Sequence, residues 1–262
     1  MSRNSFMSNP QIEEYITTVK QKSEALVKSI FPSKILELNA LLDSNDFNIK
    51  DVKSLHQTLN IPVPDTLAVN RGLTNCVDHG AASPGKKRKL HEALNNGDSD
   101  SVAPLGTKVY ALTSGPVPCN GKITALIDIV KPHIRQLVED ANLLKMWITF
   151  LIPKIEDGNN FGVSIQEDTL GEIRTVEAEA ATFYEQISRY FITRGKIISK
   201  VAKYPHVEDY RKLISELDEK EFLSLRIVLS EVRNHYATLY DLITKNMEKI
   251  IKPRSSNAEN LY

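Results

Sequence analysis

Apolar residues recur every three or four positions along most of this chain, and the places where that rhythm fails divide it into segments. Asn9 and Pro10 read as a cap and first-turn pair. Ile12, Tyr15, Ile16, Val19, Leu26, Val27 and Ile30 then form one helical stripe. Pro32 is expected to bend that helix, and Ile35, Leu38, Leu41 and Leu42 carry the stripe to a stop near Ser44 and Asn45. A shorter helix is expected around Asp51–Leu59, ended by Pro62 and Pro64.

From about Arg71 to Thr107 no period can be counted; Gly, Ser, Asn and Asp dominate, and disorder is the expectation. Val109–Leu112 could be briefly extended before Gly115 and Pro116. A second long stripe follows from Asn120 to Leu151 (Ile123, Leu126, Ile127, Val130, Ile134, Leu137, Val138, Ala141, Leu144, Ile148), with a kink expected at Pro132. A third, with Leu170, Ile173, Val176, Ala180, Phe183, Ile187, Phe191, Ile198 and Val201, reaches Lys203 before Pro205 turns the corner. A fourth uses Tyr210, Leu213, Leu217, Leu225, Val228, Val232, Leu239, Ile243 and Ile250, and stops before Pro253.

Helices of roughly 30–45 residues are about 45–70 Å long. Four such rods joined by short corners predict an all-α fold, an antiparallel four-helix bundle. Residues 1–70 then hold the first bundle helix and a short one, 71–108 an insert, 109–253 the other three bundle helices, and 254–262 a tail. Tyr184, Tyr190, Tyr236 and Tyr240 lie on or beside the stripes. Either they complete the core of one chain or they face a neighbouring subunit, since rods packed side by side can close into rings.

Composition adds limits. At 262 residues, 41% apolar and 25% charged with zero formal net charge, the chain reads as an ordinary globular protein without a field favouring nucleic acid or membrane. No apolar run approaches the roughly 20 residues that span a bilayer. The start, Met1–Phe6, is too polar for a signal peptide, and two scattered cysteines, Cys76 and Cys119, suit a reducing compartment. The six histidines fall in no metal-ligand spacing, no phosphate-binding glycine loop occurs, and neither cofactor nor metal is expected.

The stretch richest in chemistry is the loop 154–163, Lys-Ile-Glu-Asp-Gly-Asn-Asn-Phe-Gly-Val. Gly158 and Gly162 allow positive φ, Asn159 and Asn160 tolerate the left-handed region, and Ser164 with Glu167 forms a capping box that should restart a helix. A calcium loop fits poorly: Phe161 and Asp168 occupy positions that need a side-chain oxygen and a bidentate glutamate. A plain interhelical turn is the remaining bland reading.

Residues 152–167, together with Gln186–Tyr190, Ala202–Arg211 and Pro253–Tyr262, resemble the REG-type proteasome activators. The tail and a basic run in the insert are nearest to the gamma type. The resemblance implies a heptameric ring, most simply of identical subunits, with a central channel for peptides or unfolded chains. It implies that Glu156, Asp157, Gly158, Asn159, Asn160, Phe161 and Gly162 contact the outer ring of the proteasome core particle and open its gate, Asn159 foremost. It also implies that the tail, ending Asn260-Leu261-Tyr262, anchors by its terminal carboxylate. Leu261 stands where ATPase-type activators carry a penultimate tyrosine, in keeping with ATP-independent action.

Read without the resemblance, that tail is either a frayed end or a short docking peptide. Lys86, Lys87, Arg88 and Lys89 form either a solvated charge block or a nuclear import signal; phosphate contacts come third because no aromatics interleave. The expectation is a non-catalytic nuclear activator subunit, with a cytoplasmic pool possible. The rival is a nuclear helical adaptor without effect on proteolysis.

Overall fold

The structure, a computed structural model, describes residues 9–64, 115–156 and 158–254. Helix α1 (Pro10–Ala25) starts as its sequence requires: the Asn9 side chain accepts from the Gln11 amide at 3.0 Å, and Pro10 occupies the first turn. It passes through a π-helical turn, Leu26–Ile30, into α2 (Phe31–Asp43). Pro32 has no amide for the Lys28 carbonyl, and the Phe31 amide reaches back five residues to Leu26. The wider turn carries Phe31 into the core and leaves Ile30 exposed, against the simple stripe. Ile12 and Tyr15 are exposed as well, so the first two turns of α1 lack the buried face expected of them.

The long rods are α3 (Gly121–Leu151), α4 (Phe161–Lys203) and α5 (Glu208–Ile251). Helix α3 runs unbroken through Pro132. Their register follows from side-chain contacts. Tyr15 packs edge-on to Phe150 and the Ser23 hydroxyl donates to the Leu143 carbonyl, so α1 and α3 are antiparallel. Tyr184 bonds the Lys131 carbonyl and Glu177 pairs with Lys145, so α3 and α4 are antiparallel. The Tyr190 hydroxyl bonds Asp218 while Gln166 bonds the Ile250 carbonyl, so α4 and α5 are antiparallel. The four-rod antiparallel bundle expected from the pattern is the observed one.

Two compact units divide the chain. The first comprises the described parts of Met1–Gln57, Cys119–Arg194 and Ser215–Tyr262. Its core gathers Trp147, Tyr236, Phe31 and Phe47 among aliphatic side chains from all four rods, with Phe31 and Tyr236 edge-to-face at 4.9 Å. Tyr190 and Tyr236 therefore belong to the intramolecular core; Tyr184 and Tyr240 are half-buried against it. Two buried carboxylates pin the rods. Asp140 accepts from the Tyr236 hydroxyl at 2.8 Å and the Gln136 amide at 2.9 Å. Asp218 accepts from Arg194 Nε at 3.0 Å, the Tyr190 hydroxyl at 2.8 Å and Asn120 Nδ2 at 2.7 Å. Such charges are tolerated in a core because their lone pairs are taken.

Asn120 also caps α3 through Oδ1 and donates to the Leu55 carbonyl at 2.8 Å. That bond takes a carbonyl a second turn would need, and the helix expected over 51–59 is a single 3₁₀ turn, Val52–Leu55, while Arg194 holds the Gln57 side chain at 3.0 Å. The Ser54 carbonyl is likewise taken, by Lys122.

The second unit comprises the described parts of Thr58–Pro118 with Gly195–Ile214. Ile61, Ile197, Val201 and Ile214 are buried, and Arg211 donates to the Ile61 carbonyl at 2.9 Å. Ile214 takes the inward place expected of Leu213, which is exposed. Pro205 turns the chain between α4 and α5, where Tyr204 and Tyr210 lie 6.3 Å apart and Lys200 caps the Tyr210 ring. The insert expected over 71–108, the extended run 109–112 and Lys86–Lys89 lie outside the described residues.

Candidate functional site

The nine residues 152–160 connect α3 to α4 at one end of the bundle. Gln166, fully buried, holds the two helix ends there: its Nε2 donates to the Leu151 carbonyl at 3.1 Å and the Ile250 carbonyl at 2.7 Å. Pro153 prevents α3 from continuing. Beyond it Ile155 projects wholly into solvent.

Glu156 is the hub of the loop. Its Oε1 pairs with Lys154 Nζ at 2.6 Å and its Oε2 with Arg254 Nη1 at 2.9 Å. The Lys154 hydrogen bond, then the charges of Lys154 and Arg254, hold its carboxyl below the ordinary glutamate range. The Asn160 side chain donates to the Glu156 carbonyl at 3.2 Å and accepts from Arg254 Nη2 at 3.2 Å. Between these brackets Gly158 (φ 80°) and Asn159 (φ 45°) are both left-handed. That conformation is strained for an L residue unless, like asparagine, it is short and polar. The left-handed conformation that Gly158 allows and Asn159 tolerates is the one each adopts, and both are exposed.

Three expectations change. Helix α4 begins at Phe161, before the capping box, and the Asn160 carbonyl accepts from the Ser164 amide at 2.9 Å. Ser164 turns its hydroxyl onto the Phe161 carbonyl, so it caps nothing. Phe161 and Gly162 therefore belong to the first turn of α4, with the Phe161 ring exposed. Gly162 is required by contact rather than by φ: a β-carbon there would fall 2.6 Å from the Pro253 carbonyl carbon and closer still to its oxygen. With that glycine in a helix, the calcium register loses its turn as well.

Asp157 and the tail residues Asn260, Leu261 and Tyr262 lie outside the described residues. Lys154 and Ile155 lie in the expected loop but, like Arg254 and Gln166, were not among the residues expected to open the gate. A polar Lys-x-Glu pair is visible in the sequence, but Arg254 meets Glu156 across 98 positions and nothing local announces it.

A groove of about 250 Å³ runs along the loop between Pro153, Glu156, Val163 and Arg254. Among the described residues, no group of three or more His, Cys, Asp and Glu side chains could hold a metal, and no helix is long and apolar enough to cross a membrane. The site offers a stiff polar turn flanked by two exposed apolar side chains: a contact surface.

The family model for the N-terminal part of proteasome activator PA28 matches residues 7–66, and that for its C-terminal part matches 116–260. The chain belongs to the PA28 proteasome activator family. It is 49% identical over 252 residues to human proteasome activator complex subunit 3, covering 96% of this chain and 95% of that protein. Among solved structures it is similar to the 11S subunit of the Plasmodium falciparum proteasome, PA28, at TM-score 0.70 and 28% identity, over 97% of this chain and 96% of the other. The activator PA26 from Trypanosoma brucei, solved in complex with the yeast 20S proteasome, shares the fold: TM-score 0.56 and 12% identity, over 97% and 100% of the two chains. The family is one of regulators of proteolysis, as the resemblance of the loop implied.

Proposed function

We propose that this chain is an ATP-independent activator subunit that docks on the outer ring of the proteasome core particle and opens its gate. The observation that carries the reading is the loop. Glu156 and Asn160, locked by Arg254, hold the exposed left-handed Gly158–Asn159 turn, with Ile155 and Phe161 beside it. A preorganised surface of this kind loses little entropy on contact and can push on a partner. The subunit contributes no hydrolysis; it admits peptides and unfolded chains through a ring, a homoheptamer on the strength of the family resemblance.

The tail ending Asn260-Leu261-Tyr262 supplies affinity, weak for one subunit and multiplied in a ring. The run Lys86–Lys89 supplies nuclear import, and a tagged chain with those four residues neutralised should lose nuclear enrichment; unchanged accumulation would sink that assignment.

The deciding experiment mixes the purified chain with core particle and a fluorogenic peptide, without nucleotide. An activator raises turnover saturably. Turnover that stays flat while the two proteins co-sediment would favour an adaptor.

A further inference from the structure

Arg254 lies three residues beyond the end of α5, at the root of the tail. Its guanidinium turns back across the end of the bundle and grips both brackets of the loop, Glu156 through Nη1 at 2.9 Å and Asn160 through Nη2 at 3.2 Å. The preceding residue, Pro253, lies on the first turn of α4, where only a glycine at 162 leaves room for its carbonyl. One turn inward, Gln166 ties the carbonyl ends of α3 and α5 together. The Arg254 fork thus joins the tail root to the loop, and the Pro253 contact joins it to the first turn of α4.

From this geometry we infer that Arg254 is the positioning residue of the gate-opening loop, coupling the docked tail to the height and attitude of the Gly158–Asn159 turn. The inference rests on the activator role proposed above. The fork of an arginine suits that role, because two N–H groups engage two acceptors at once, on either side of the turn. A lysine can neutralise Glu156 but presents a point charge and cannot bridge to Asn160 in the same way. The pair is partly exposed, with Arg254 at 20% and Glu156 at 44% side-chain exposure, so it adds little to overall stability. Its value lies in geometry. Without it the tail would be a tether and the loop a separate, looser element.

The test uses the full chain with Arg254→Gln, Arg254→Lys, Glu156→Gln and the R254Q/E156Q double variant. Ring size, the concentration for half-maximal activation and the saturating peptide turnover are measured with core particle. Arg254→Gln should keep ring size and half-maximal concentration within about twofold, while saturating turnover falls about threefold to fivefold, the scale of one screened ion pair. Arg254→Lys should recover part of the loss. The loss in the double variant should be smaller than the product of the two single losses, since the Glu156–Arg254 pair is common to both.

Unchanged saturating turnover in Arg254→Gln overturns the inference. So does a shift confined to half-maximal concentration, which would make Arg254 a docking contact only. If the wild type fails to raise turnover, the activator reading fails instead. The coupling is then judged from the Glu156 carboxyl titration by NMR: it must move up in Arg254→Gln, and an unmoved titration overturns the coupling.

Discussion

Gly162 and Pro253 meet so closely that a β-carbon on the glycine would overlap the proline's carbonyl oxygen and lie 2.6 Å from its carbonyl carbon. The opposing atoms are backbone, so no side-chain rotation relieves the contact. The path of the chain leaving α5 is therefore set by a residue in the first turn of α4.

Gly162→Ala should push the 252–254 segment off α4. Overpacking of this kind costs about 1–3 kcal/mol, and at this chain length each kcal/mol lowers Tm by about 2–4 °C. The loop also loses its anchor, so activation should fall more than stability alone explains. Calorimetry alongside the peptide assay checks both; an unchanged Tm with full activation would show that the segment can move aside freely.

Asn159 has φ 45° and an exposed side chain. Asn159→Tyr places a bulky ring in the left-handed region, at about 1–2 kcal/mol of backbone strain, and alters the surface offered to the partner. Asn159→Gly keeps the backbone and loses only the amide. We expect the tyrosine variant to bind core particle without activating it, and the glycine variant to retain most activation. Equal loss in both would move the role from the backbone to the amide group.

Glu221 is nearly buried, and burial, opposed by Lys220 and reinforced by Asp218, pushes its carboxyl up to about 7. Its ordinary value is 4.5. Between those values the folded chain holds a proton that the unfolded chain has released, so stability is greatest below the ordinary value, declines as pH rises towards 7, and levels off above it. Glu221→Gln removes that slope and should raise stability at pH 8 by about 1–3 kcal/mol relative to wild type. Denaturant titrations from about pH 5 to about pH 8 read the effect. Parallel curves for the two proteins would mean that Glu221 titrates normally.

Deleting Asn260-Leu261-Tyr262 removes the end of the tail and its carboxylate while leaving every described helix and the Arg254 contacts intact. Each subunit of a ring loses its anchor together, so multivalent affinity should collapse rather than drift. Co-sedimentation with core particle should show no binding where wild type saturates, with ring size unchanged. Undiminished binding would place docking elsewhere.

Periodicity was enough to read the rods. Ile123, Ile127, Val130, Ile134, Leu137 and Ile148 recur on one face, and a helix that long has no other way to bury them. Asn9 and Asn120 cap where a short polar side chain can reach free amides, and Pro205 and Pro253 lie just beyond helix ends, because capping and termination are decided within a few residues. The loop was legible too, since two consecutive left-handed positions demand residues such as Gly158 and Asn159.

Tertiary structure decided everything that depends on partners far along the chain. The π turn at Leu26–Ile30 puts Phe31 rather than Ile30 inside, and Asn120 and Lys122 take the carbonyls that would extend the turn at Val52–Leu55. Gly162 reads as a flexible loop residue until Pro253 arrives against it, and Arg254 reads as part of a polar tail until it closes on Glu156, 98 positions away. Local chemistry sets which backbone angles a segment can adopt. Only packing decides which distant backbone fills the space beside it.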